Sequence, residues 1–120
     1  MYTIAKCAAI VEVQYEGAGE LHCCGQPMKL MVENTVDASH EKHVPVGDRE
    51  GSILAVKVSS APHSMTEEHY IEWIEVLVGN KTYREFLKPG QAPQVIFCID
   101  PGNEPIVLRE YCNLHGLWKG

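Results

Sequence analysis

The apolar positions after residue 50 fall into short runs rich in β-branched and aromatic residues, and turn residues separate the runs. They occupy residues 52–59, 70–78, 81–87, 94–99 and 106–111. Between the second and third runs, Gly79-Asn80 is typical of a two-residue hairpin turn. Because no long stretch shows the 3.6-residue period of a helix, the pattern predicts an all-β fold, an antiparallel β-sandwich.

Helical structure is predicted only as single turns. One lies near residues 34–42, within "NTVDASHEK". The other follows Ser64, because Ser64 and Glu67 have the spacing of a capping box.

The N-terminal segment has a different pattern. "KCAAIVEVQYEGAGELHCCGQPM" contains a short strand, a glycine-rich turn and a Cys-Cys-Gly corner. It predicts a small hairpin unit over residues 1–30, attached to a sandwich over residues 31–120.

Composition and charge restrict the classes of partner. Ten Lys and Arg against sixteen Asp and Glu give a formal net charge of −6, so no basic patch is present for a nucleic-acid backbone. An anionic substrate would need local positive charge to approach. No apolar run reaches membrane-spanning length, and the first residues lack the features of a signal peptide. We therefore expect a soluble, cytoplasmic protein without a membrane partner.

The cysteines favour metal binding over disulfide formation. Their number is odd, and no secretion signal accompanies them. Cys98, in the apolar run "QVIFCI", is expected to be a small core residue. The five are Cys7, Cys23, Cys24, Cys98 and Cys112.

Four of the six histidines stand at predicted loops or strand ends, where sites are commonly built on a rigid sheet. Taken singly, each is more often a surface residue or a hydrogen-bonded core residue than a ligand. Together with Cys112 in "EYCNLHGLW", they suggest one metal site. The four are His43, His63, His69 and His115.

Four imidazoles and one thiolate are one ligand more than structural zinc usually takes. Imidazole with thiolate is compatible with iron. If the nitrogens lie in a plane and the sulfur on the axis, the position opposite the sulfur stays open. A thiolate there donates electron density to whatever binds opposite, which suits a small oxygen ligand and one-electron transfer.

Two charged residues precede His43. Glu41 and Lys42 are either solvated loop charges or parts of the site. In the second interpretation Lys42 attracts an anionic substrate, and Glu41 can fill the open position as a hard oxygen ligand.

Four blocks of the sequence resemble superoxide reductases, the desulfoferrodoxin and neelaredoxin group: "ENTVDASHEKHVPV", "PHSMTEEHYIEWIEVLV", "FLKPGQAP" and "REYCNLHGLWKG". The resemblance implies an immunoglobulin-like sandwich with a desulforedoxin-like N-terminal unit. It implies a single mononuclear iron, Fe2+/Fe3+, that reduces superoxide to hydrogen peroxide and is re-reduced by a donor such as rubredoxin. It makes Cys112 the axial ligand, and Glu41 and Lys42 the loop pair beside the open position. The implied equatorial ligands are His43, His63, His69 and His115.

The sequence departs from the family pattern in two loops and in the N-terminal unit. Pro62 stands directly before His63 in "APHSM", and His40 is expected to be a surface residue. Cys7, Cys23 and Cys24 match three cysteines of a four-thiolate iron site whose fourth is absent. We expect that site to be degenerate. A zinc site formed by the three cysteines and His22 stays open as an alternative.

Two other functions remain open at this point. One is a non-catalytic, iron-binding electron-carrier module on the same scaffold. The other is a structural sandwich in which the histidines never meet. Sandwiches of this kind often pair through strand edges, so a homo-oligomer, a dimer or tetramer, is expected.

Overall fold

The computed structural model describes residues 2–4, 8–34, 43–58, 64–99 and 104–120. The chain divides into two compact units, Met1–Val32 and Glu33–Gly120. In the described ranges, no helix is long and apolar enough to cross a membrane.

The first unit consists of short antiparallel strands. β1 (Tyr2–Ile4) lies between β2 (Ile10–Glu12) and β5 (Lys29–Leu30), and β3 (His22–Cys23) pairs with β4 (Gln26–Pro27). The turn between β3 and β4 is Cys24-Gly25, and both residues have positive φ, 54° and 74°. Two consecutive positive φ angles are the signature of the turn that matches the twist of a two-residue hairpin.

The second unit is a sandwich of two antiparallel sheets with an immunoglobulin-like architecture. One sheet has the order β12-β11-β8-β9 and the other β10-β7-β6. The predicted all-β fold is confirmed. The strands are β6 (Pro45–Glu50), β7 (Ile53–Val58), β8 (Ile71–Val78), β9 (Lys81–Phe86), β10 (Gln94–Cys98), β11 (Ile106–Cys112) and β12 (Gly116–Lys119).

The core lies between the two sheets. In β7, Leu54, Val56 and Val58 are buried, while the alternate residues are exposed. Side chains alternate between the faces of a strand, so one face of β7 covers the core. Each buried aliphatic side chain contributes about 1.5–3 kcal/mol of transfer free energy. The core also includes Phe97 of the neighbouring strand β10 and, from the opposing sheet, Ile74, Val76 and Leu108.

The predicted strands agree with the observed ones to within a residue or two. The Gly79-Asn80 hairpin is present, with Val78 paired to Lys81 and Gly79 at a φ of 58°. β6 and β12 were not predicted, because β6 carries Pro45, Gly47 and three charged residues. Each is an edge strand, which forms by pairing with a single neighbouring strand.

Two local predictions were wrong. No helical turn follows Ser64; instead Thr66 and His69 close a reverse turn through reciprocal backbone hydrogen bonds of 3.0 and 3.2 Å. Cys98 is exposed, because in β10 it shares its face with the exposed Gln94. The other predicted helical turn falls almost wholly on residues 35–42, outside the described ranges.

A buried carboxylate lies on the outer face of the four-stranded sheet. Glu75 is fully buried, and it accepts hydrogen bonds from Arg84 Nη2 and Arg109 Nε, each at 2.7 Å. Arg109 Nη1 also donates to Glu33, at 3.2 Å. Burial alone would lower the pKa of Arg109, but Glu75 and Glu33 together raise it. The two arginines thus supply the positive charge that a carboxylate removed from water requires.

Candidate metal centre

Four predicted ligands stand at strand ends in the second unit. His43 lies two residues before β6, and His69 lies two residues before β8. Cys112 is the last residue of β11, and His115 ends the turn that leads into β12. The structure brings these four residues together, with their potential ligand atoms all within 4.8 Å of one another.

The donor atoms have the spacing of ligands on one ion. His43 Nε2 and His115 Nδ1 are 2.9 Å apart, and Cys112 Sγ is 3.8 Å from His115 Nδ1. Two nitrogens bound at a right angle by bonds of about 2.1 Å would lie about 3.0 Å apart. The His69 ring meets the His115 ring edge-on at a centroid distance of 5.0 Å. The set therefore fits a first-row transition metal with His43, His69, Cys112 and His115 as ligands.

Local sequence explains how Cys112 and His115 face the same point. Cys112 pairs with Gly116 across the β11–β12 hairpin, so three residues form the loop between them. Gly116 has a φ of 90°, a left-handed conformation that glycine adopts without steric cost. The register of β11 against β8 shifts between Tyr111 and Cys112, an irregularity of the kind that re-aims side chains.

The ligands differ in their exposure. The Cys112 side chain is 0% exposed and His43 is 3% exposed, whereas His115 is exposed. The sulfur thus lies on the inner side of the cluster, and an imidazole lies at the surface.

The surroundings of His69 favour the form of its imidazole that binds metal. Burial and, to a smaller extent, the neighbouring His115 lower the pKa of His69. The neutral ring therefore predominates at neutral pH, and a neutral ring nitrogen can coordinate an ion.

The Cys112 thiol is affected by opposing influences. Burial raises its pKa, and the carboxylates of Glu110 and Glu72 add to this, while the backbone amides of Leu114 and His115 hydrogen-bond the sulfur and lower it. A metal ion must therefore displace a proton from the thiol, and the amide donors then stabilise the thiolate.

Two residues around the cluster were not singled out from the sequence. The indole of Trp118 stacks on the His43 ring, at a centroid distance of 4.7 Å and an interplanar angle of 16°, and its Nε1 donates to the carbonyl of His115 at 3.1 Å. Glu110 is fully buried, and burial raises its pKa well above the usual value. Strand alternation could have revealed Glu110, because it shares the inward face of β11 with Leu108.

Three predicted site residues, His63, Glu41 and Lys42, lie outside the described ranges, as do Cys7 and His40, which was expected to be a surface residue. In the first unit, Cys23 and Cys24 have their sulfurs 3.9 Å apart, too far for a disulfide bond. His22 Nε2 lies 3.6 Å from Glu20 Oε2. The degenerate state of this second site stays a prediction.

Comparison with known proteins gives the family. Residues 35–120 match the protein family Desulfoferrodoxin, and residues 2–31 match the family Desulfoferrodoxin, N-terminal domain. The chain belongs to the desulfoferrodoxin family.

Individual relatives match most or nearly all of the chain. The desulfoferrodoxin of Desulfarculus baarsii is 54% identical over 99% of this chain and 93% of its own length. The superoxide reductase of Pyrococcus horikoshii is 34% identical over 74% of this chain and 95% of its own. The crystal structure of the superoxide reductase from Treponema pallidum superposes with a TM-score of 0.81 at 30% identity, over 99% of this chain and 95% of that one.

Iron is the metal of desulfoferrodoxin domains. The four converging side chains offer three imidazoles and one thiol, a donor set that suits iron. They would hold the ion from both sheets of the sandwich, since His43 leads into one sheet and Cys112 ends a strand of the other. His63 remains the predicted fifth ligand.

Proposed function

We propose that this protein is a superoxide reductase, an oxidoreductase that uses superoxide as its electron acceptor. The observation that carries the proposal is the convergence of three imidazoles and one fully buried thiol within 4.8 Å, with one imidazole at the surface. A thiolate on the inner side leaves the outer side of the site for a small anion. The names of the Pyrococcus and Treponema relatives support the same activity.

The protein groups have distinct roles in this reaction. Iron, when bound, supplies one electron and an open coordination position. Cys112 donates electron density from the buried side, and the amides of Leu114 and His115 hold its negative charge. The neutral His69 would add a nitrogen ligand without adding charge. Each superoxide takes up one electron and two protons and leaves as hydrogen peroxide.

Two residues outside the described ranges belong to the proposal on the strength of their sequence alone. Lys42, next to the ligand His43, supplies positive charge in a chain of net charge −6. Glu41 would supply a carboxylate ligand to the ferric ion, and Lys42 would help to deliver a proton through a water.

The proposal includes an external electron donor, such as rubredoxin, and a homo-oligomeric assembly. It places the protein in the cytoplasm. The odd number of cysteines, five, supports a reducing compartment, because disulfide frameworks are typical of oxidising ones.

The test is a superoxide pulse applied to the anaerobically reduced, iron-loaded protein. We expect one hydrogen peroxide per superoxide consumed, no release of oxygen, and oxidation of one iron for each superoxide. In the presence of a non-catalytic electron carrier, superoxide would decay no faster than it does in buffer alone. Either that result or oxygen release in the ratio of a dismutation would refute the proposal.

Lys42→Ile should slow the second-order reaction with superoxide by about tenfold or more and weaken its dependence on ionic strength, because salt then screens less attraction. The measurement is the pulse-radiolysis rate constant across a series of salt concentrations. The matched control is Lys81→Ile, which removes the same charge at the start of β9. Lys81 follows the C-terminal end of β8, whereas His69 precedes its N-terminal end. Equal rates in the two variants would make Lys42 an ordinary solvated lysine.

The N-terminal unit is proposed to hold no rubredoxin-like iron, so we expect one iron per chain. A ferric tetrathiolate needs four sulfurs, and residues 1–32 contain only Cys7, Cys23 and Cys24. Metal analysis of the purified full chain, with Cys23→Ser as the comparison, checks the count. Two irons per chain, or a tetrathiolate spectrum that Cys23→Ser removes, would contradict this prediction. Zinc without iron in the unit would be the Cys₃His alternative.

A further inference from the structure

The loop between Cys112 and His115 carries a side chain that the ligand set does not use. Asn113 Oδ1 accepts a hydrogen bond from the backbone N–H of Tyr70 at 3.0 Å, and its Nδ2 donates to the carbonyl of Glu68, also at 3.0 Å. The backbone N–H of Asn113 donates to the carbonyl of Tyr70 at 3.2 Å. The carboxamide thus holds the two peptide groups on either side of His69.

These hydrogen bonds begin where the sheet ends. The last pair of the β8–β11 ladder is Ile71 with Cys112, so His69 lies beyond the strand pairing. The reverse turn with Thr66 orders His69 only relative to its own segment. Asn113 instead joins that segment to the strand that carries the Cys112 thiol.

We propose that Asn113 is a positioning residue that fixes the imidazole of His69 relative to Cys112 and His115. It acts through the backbone and does not touch the ion. Since three hydrogen bonds converge on one short segment, the ligand is already ordered before metal binds, and less conformational entropy is lost on binding. Groups that orient metal ligands typically change metal affinity 10–100-fold when they are removed. The inference deepens the proposed function and rests on its metal centre, but not on the reaction with superoxide.

A double-mutant cycle in the full chain tests this role, with Co(II) as the probe. Asn113→Ala is expected to raise the Kd for Co(II) about 10–100-fold and to alter the visible spectrum of the bound ion. In a His69→Ala background, the same substitution should change the Kd by less than about twofold, because the group on which Asn113 acts is already gone. Gln91→Ala is the matched control, since the Gln91 carboxamide also holds a turn, by accepting from Lys88 N–H at 3.2 Å. Its Kd should equal that of the unmodified chain.

An equal loss of affinity in both backgrounds, or no loss, would overturn the positioning role and leave Asn113 a general stabiliser of the loop. Should Asn113→Ala fail to fold, Asn113→Asp is used in the same cycle, because it keeps the acceptor for Tyr70 and loses the donor to Glu68. Cobalt binding involves no superoxide chemistry. A chain that is inert toward superoxide and still shows the coupling would refute the proposed function and support the inference.

Discussion

Cys112→Ser should abolish both the thiolate-to-iron(III) charge-transfer band of the oxidised protein and its reaction with superoxide. The band requires a sulfur orbital bonded to the ion, and Cys112 is the fully buried thiol of the ligand cluster. A serine hydroxyl of similar size leaves the fold intact but donates much less electron density. Visible absorption and the superoxide pulse measure the two effects.

The control for this prediction is Cys98→Ser, at an exposed position on the outer face of β10. It should leave the band, the iron content and the reaction rate unchanged. If Cys112→Ser keeps both the band and the activity, the sulfur ligand is another cysteine and the axial assignment is wrong.

Arg109→Met is expected to lower the free energy of unfolding of the metal-free protein by about 3 kcal/mol, since it removes one of two arginines from a buried carboxylate. Glu75 is fully buried and the Arg109 side chain is only 13% exposed, so water cannot replace the lost partner readily. The double variant Glu75→Leu, Arg109→Met should recover most of the loss, because the buried carboxylate that has lost Arg109 is then replaced by an apolar side chain.

Urea unfolding at neutral pH measures these differences. Lys57→Met removes an exposed charge from the other sheet and should change the free energy by less than about 0.5 kcal/mol. A loss with Arg109→Met that is no larger than this control would mean that Arg84 alone compensates Glu75.

The sequence predicted the strands whose apolar residues are continuous or alternate clearly. β8 and β9 could be read with their turn because Gly79-Asn80 interrupts two β-branched runs. β6 could not, because an edge strand with charged residues has no distinctive pattern and forms only in register with β7. Cys98 was misjudged because the apolar run was not resolved into two faces, although the polar Gln94 marks its outer side.

The ligands that converge were predictable because their residue types are chemically unusual and stand at strand ends. Their surroundings were not. The stacking of Trp118 on His43 joins residues of two different sheets, and a local pattern contains no information about such a contact. The reach of Asn113 to Tyr70 likewise depends on how β11 meets β8 in space.

The placement of the four proposed ligands at the ends of strands from both sheets would make a bound ion a cross-link. His43 precedes β6, while His69, Cys112 and His115 stand at strand ends of the opposing sheet, so chelation would tie together two halves of the sandwich. Binding only to the folded state adds the free energy of chelation to the stability of the domain. We therefore expect local opening of this end of the sandwich to slow when metal is loaded.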